Sequence, residues 1–129
     1  MNMAKADFLK EKAEAFFEDA KYDISRKKWF LAAFHLEQTC QLYLKYCLFK
    51  EYGDYPKTHS LNELFDEFKK GFPQKSKEIE KIQKDKASVI GDLNQAYITS
   101  RYLPVDFTQQ QIEKMLEFTT DLIKFSKKL

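Results

Sequence analysis

The stretch KWFLAAFHLEQTCQLYLKYCLFKEYG, residues 28–53, decides how this chain folds. Trp29, Ala33, Leu36, Cys40, Tyr43, Leu44 and Cys47 recur at steps of three and four, the period of one face of an α-helix. No proline or glycine interrupts the run before Gly53. That glycine stands where a helix C-terminus most often enters the left-handed region, which side chains with a Cβ disfavour. A helix from about Lys28 to Tyr52 follows.

Reading outward from it, the same period extends in both directions. Leu9, Ala13, Phe16, Phe17, Ala20 and Ile24 predict a first helix over Ala4–Ser25, with charged residues filling its other faces. The join at Arg26 and Lys27 is short, so the first two helices should lie antiparallel. Downstream, breakers cluster at Gly53 and Pro56, at Gly71 and Pro73, and at Pro104. Ser60 with Glu63 reads as a capping box that opens a short helix through Leu61, Leu64, Phe65 and Phe68, ending at Gly71. A fourth helix spans Gln74 to about Tyr102; the polar run Lys84–Ser88 and Gly91 mark a place for a kink or split. Thr108 with Gln111 caps a last helix, which runs to about Lys127. No strand-like alternation, repeat or low-complexity segment accompanies these signals. The expected architecture is all-α: a single domain over residues 1–129, an antiparallel up-and-down four-helix bundle with one extra short helix.

Composition narrows the function. The 22 basic residues nearly balance the 20 acidic ones, and only Arg26 and Arg101 are arginine, so net charge supplies no broad nucleic-acid surface. No apolar run approaches the ~20 residues that span a bilayer, and the first dozen residues lack a signal-peptide core, so a cytoplasmic protein without a membrane partner is expected. Cys40 and Cys47 sit about 10 Å apart along one helix, beyond the ~7 Å reach of a disulfide. They read as reduced core thiols, and they lack the two further cysteines or histidines of a zinc site. No metal and no cofactor is expected.

The candidates for chemistry are therefore few. His35 is mid-helix with no ligand set around it and reads as structural. His59 ends the loop Tyr55–Thr58 just before the capped helix, where it either seats that helix or touches a ligand. Arg101 closes the fourth helix in Tyr97-Ile98-Thr99-Ser100-Arg101-Tyr102. A cation there complements the helix dipole, and a guanidinium also suits a phosphate, helped by the free backbone donors of the next helix start at Thr108. Asp106 is close enough in sequence to pair with Arg101 and compete with such an anion. No phosphate-binding glycine loop, nucleophile elbow or carboxylate pair is present. Phe17, Phe30, Phe34, Tyr46, Phe49, Phe118 and Phe125 lie off or beside the core stripes, and this excess of aromatics suggests a second buried face, most simply a dimer or hetero-partner interface.

Several of these segments together resemble the HEPN family. They are Trp29–Gln38 with its alanine turn and Glu37-Gln38 pair, Leu44-Lys45, Gly53, the loop residues Pro56, Thr58, His59 and Leu61 followed by Leu64, and Tyr97, Ser100, Arg101 and Tyr102 shortly before a proline. The resemblance implies a helical bundle, often dimeric. It further implies a frequent role as the partner of a small nucleotidyltransferase, in prokaryotic toxin–antitoxin pairs or as a substrate-binding domain. Ribonuclease members place an arginine, four to six arbitrary residues and a histidine in a cleft between two protomers. Arg101 matches the arginine, but after four residues comes Asp106, and no histidine follows at any allowed spacing. A carboxylate there would repel the scissile phosphate, so the family's ribonuclease chemistry is expected to be impaired or absent. The leading expectation is a non-catalytic homodimer or higher even oligomer. It would pair with a nucleotidyltransferase and hold a nucleotide or anion near Arg101, His59, Tyr102 and Asp106. A divergent metal-independent ribonuclease toxin and a ligand-free interaction scaffold are the alternatives; RNA ranks behind a nucleotide as ligand.

Overall fold

A computed structural model describes residues 3–104 and 106–129, leaving aside the side chains of Met3, Ala4, Ser100 and Arg101. Its elements are α1 (Met3–Ser25), α2 (Trp29–Tyr52), α3 (Leu61–Gly71), a 3₁₀ turn (Pro73–Lys75), α4 (Ser76–Asp85), α5 (Ala87–Tyr102) and α6 (Gln109–Ser126), with no strand among the described residues. The fold is all-α, as the periodicity predicts.

Caps explain where the helices begin and end. Gly53 takes φ +77° and its N–H returns to the Phe49 carbonyl, closing α2. Ser60 Oγ accepts from the Glu63 N–H at 3.3 Å. The reciprocal half of that box is replaced: the Glu63 carboxylate accepts from the Thr58 hydroxyl, and Thr58 Oγ1 accepts from the Ser60 N–H. At α6 the box is complete, with Gln111 N–H bonded to Thr108 Oγ1 and Thr108 N–H to the Gln111 side chain. The long fourth helix is interrupted at Lys86, inside the polar run that marked it, and so becomes α4 and α5.

The packing departs from a symmetric four-helix ring, because α2 lies at its centre. Early residues of α1 meet late residues of α2: Ala6 and Leu9 cluster with Phe49, while Asp23 reaches His35. The two helices are therefore antiparallel. By contrast Cys40 bonds Thr119 and Cys47 bonds the Ser126 carbonyl, so α6 runs parallel to α2 and packs on it directly. Asp92 meets Gln111, and Phe118 lies by Val89, which makes α5 antiparallel to α6. The main core, including Leu36, Leu44, Phe65, Phe68, Leu93 and Met115, fills the space among α2, α3, α5 and α6. α1 packs chiefly on α2. Such central burial accounts for an α2 that is apolar nearly all round.

This arrangement corrects the reading of the aromatics. Phe49, Phe118 and Phe125 are buried within the chain, Phe17, Phe34 and Tyr46 are half-buried, and only Phe30 of that group is exposed. Phe118 and Phe125 meet Phe65 and Phe68 of α3, and Phe49 packs against Ala6 and Leu9 of α1, so their excess does not by itself call for a partner. Apolar exposure lies elsewhere, notably at Ile98, Tyr102 and Leu103 on and just beyond the last turns of α5.

Candidate functional site

The two histidines have different surroundings. His35 Nδ1 is 2.5 Å from Oδ2 of the buried Asp23, and its ring packs against Phe16 and Phe34. It ties α2 to α1, the structural role that its sequence neighbours suggest. His59 is exposed, and its ring stacks on Tyr97 of α5 at 4.5 Å between centroids and 19° between planes.

A polar ladder beneath the loop positions His59. Glu37, Gln41 and Lys45 follow one another at one-turn spacing along α2 and all three are buried. The Glu37 carboxylate accepts from Gln38 Nε2 at 2.8 Å and from Gln41 Nε2. The Gln41 amide also donates to the His59 carbonyl at 3.0 Å, so a buried side chain holds the loop backbone. Lys45 places its ammonium 5.6 Å from the centre of the Tyr55 ring, at the start of the same loop. Burial lowers the Lys45 pKa, and the negative charge of Glu37 partly opposes that shift. On the far side of His59, the Leu61 N–H donates to Asn94 Oδ1 of α5 at 3.1 Å. One loop is thus fastened to α2 at Tyr55 and His59, and to α5 at His59 and Leu61.

The sequence candidates fall around this junction in part. Arg101 belongs to the last turn of α5, four residues beyond Tyr97 and so one turn from it on the same side of the helix. Its guanidinium lies outside the described residues, and so does the expected Arg101–Asp106 pair. Tyr102 is 70% exposed. Asp106 is exposed, and its Oδ1 accepts from the Phe107 N–H at 2.7 Å, so it shapes the turn that leads into α6. Sequence reasoning did not single out Gln41 or Asn94. The available signal was the row of polar residues 37, 41 and 45 inside an otherwise apolar helix, a pattern that demands buried partners.

No group of three or more His, Cys, Asp or Glu side chains that could hold a metal ion occurs among the described residues, and no described helix is long and apolar enough to cross a membrane. The HEPN domain family profile matches residues 6–129, nearly the whole chain. The chain belongs to the HEPN domain family. In this HEPN domain the His59 loop meets α5 at Tyr97, four residues before Arg101. No curated protein matches the chain at a significant level.

Proposed function

We propose that this HEPN domain is a non-catalytic, homo-oligomeric protein that pairs with a separate nucleotidyltransferase in a toxin–antitoxin-like module. It would offer a nucleotide or other anion a site at the C-terminal end of α5. The observation that carries this reading is the α5 terminus itself: Arg101 matches the arginine of the family's motif by resemblance, and after four intervening residues comes the exposed Asp106, whose carboxylate is engaged with its own turn. Neither His35 nor His59 follows Arg101 in the chain. Without a histidine in that register, the segment keeps a cation for phosphate and loses the acid–base partner. Ile98, Tyr102 and Leu103 beside it give a second copy an apolar surface to cover. The nucleotidyltransferase would supply the phosphoryl chemistry and its metal.

The second reading, a divergent metal-independent ribonuclease, gains from one contact. The stack of His59 on Tyr97 brings a histidine within about one helical turn of Arg101 by a route other than the family's register. Affinity purification of the chain from its native cells, followed by mass spectrometry, tests the first reading. A nucleotidyltransferase retained in fixed stoichiometry supports it, and a chain retained only with itself opposes it.

A further inference from the structure

We propose that the outward face of the His59 ring is a stacking platform for a nucleobase. This inference rests on the nucleotide site proposed at the end of α5 and supplies its base subsite. Tyr97 covers one face of the ring in a near-parallel stack, yet His59 remains exposed. The backbone on both sides is fixed. The His59 carbonyl accepts from the buried Gln41, the Ser60 N–H donates to Thr58 Oγ1, and the Leu61 N–H donates to Asn94. An aromatic side chain on a surface loop ordinarily samples several positions and loses that freedom when it binds. Here the ordering is already built in, so a planar ligand meets a platform at low entropic cost. A ring needed only to hold the loop against α5 would be covered by the protein. This residue is held by its backbone and stacked on Tyr97 on one face, yet it stays exposed.

The ligand class follows from geometry. A flat, uncharged heteroaromatic ring stacks on imidazole whatever its edge pattern, because every base presents a π-face. Arg101 follows Tyr97 by four residues of α5, a backbone rise of about 6 Å. The ligand class is therefore a molecule carrying both a base and a phosphate, the base on the platform and the phosphate at the last turn of α5. A bare phosphate would need only the arginine.

Proton NMR of the His59 ring in the intact protein tests the platform, with adenosine, adenosine 5′-monophosphate and ribose 5-phosphate as probes. The two base-bearing probes should move the His59 ring signals upfield in a saturable way, and ribose 5-phosphate should leave them in place. His59→Ala should weaken adenosine 5′-monophosphate binding by roughly 5- to 100-fold, the range that one stacked base supplies, and should leave ribose 5-phosphate binding unchanged. His59→Phe should restore most of the loss. Equal binding of the two phosphates with unmoved His59 signals overturns the platform and leaves the anion site standing. Adenosine moving the His59 signals while Arg101→Ala leaves adenosine 5′-monophosphate affinity unchanged supports the platform and overturns the anion site. Unmoved His59 signals with every probe overturn the platform whether or not the variants fold.

Discussion

Replacing Gln41 by alanine tests whether the buried ladder of α2 holds the histidine loop. The substitution removes one amide that serves two acceptors: the carboxylate of Glu37, which is wholly buried, and the His59 carbonyl at 3.0 Å. A hydrogen bond to a buried charge contributes about 1.5–3 kcal/mol and a neutral one about 1 kcal/mol, so the expected loss is about 2–4 kcal/mol. For 129 residues, an unfolding entropy near 2.1 cal/mol/K per residue converts that loss to a fall in Tm of roughly 7–15 °C. Gln38→Ala removes a single, less buried donor to Glu37 and should cost about 1 kcal/mol. Urea titration and thermal melts of both variants measure the difference. In a Glu37→Gln background the Gln41→Ala cost should shrink by at least ~1 kcal/mol, because the lost donor then served a neutral acceptor rather than a buried carboxylate. A Gln41→Ala variant within about 1 kcal/mol of the parent, or a cost unchanged by Glu37→Gln, would refute the ladder.

Arg101→Ala should weaken nucleotide binding by about 1.5–3 kcal/mol in calorimetric titration, while stability changes by under ~1 kcal/mol, as expected of a charge at a helix end. A mainly structural loss with no nucleotide binding in the parent would contradict the anion site. Light scattering should return at least twice the mass of one chain, and Ile98→Asp should shift the distribution toward monomer; a parent that is monomeric at micromolar concentration contradicts the oligomer. Burial pushes the Cys40 thiol up to about 12 and the Cys47 thiol to about 11, from an ordinary 9.0. The unfolded chain then releases those protons first as pH rises, so stability should hold below about pH 9 and decline through pH 11–12. Cys40→Ala should flatten that alkaline decline in pH-resolved melts, and an unchanged slope would count against the buried thiol.

The helices were legible because their signals are local. Period, glycine and capping residues placed α1, α2, α3 and α6 within a few residues, and the polar run at Lys84–Ser88 marked the break at Lys86. The arrangement was less legible, since a stripe shows that a face is buried and does not show by what. Phe49 looked surplus to one stripe because α2 is central and offers a second face to α1, and Phe118 and Phe125 because α6 also packs on the aromatics Phe65 and Phe68 of α3. Of the candidate junction, His59 and the α5 terminus stood out in the sequence, as a lone loop histidine and a lone helix-end arginine do. Its support was not, because Gln41 and Asn94 acquire their roles only when a loop and α5 are brought to them from 18 and 33 residues away in sequence.

The central claim, an arginine site without ribonuclease chemistry, is tested most directly by incubating the purified chain with mixed RNA in the absence of added metal. His59→Ala and Arg101→Ala should be assayed alongside it. The parent should leave the RNA intact over a time course in which a control ribonuclease digests it. Cleavage by the parent that disappears in both variants would contradict the account and establish His59, stacked on Tyr97, as the partner of Arg101 in a catalytic pair.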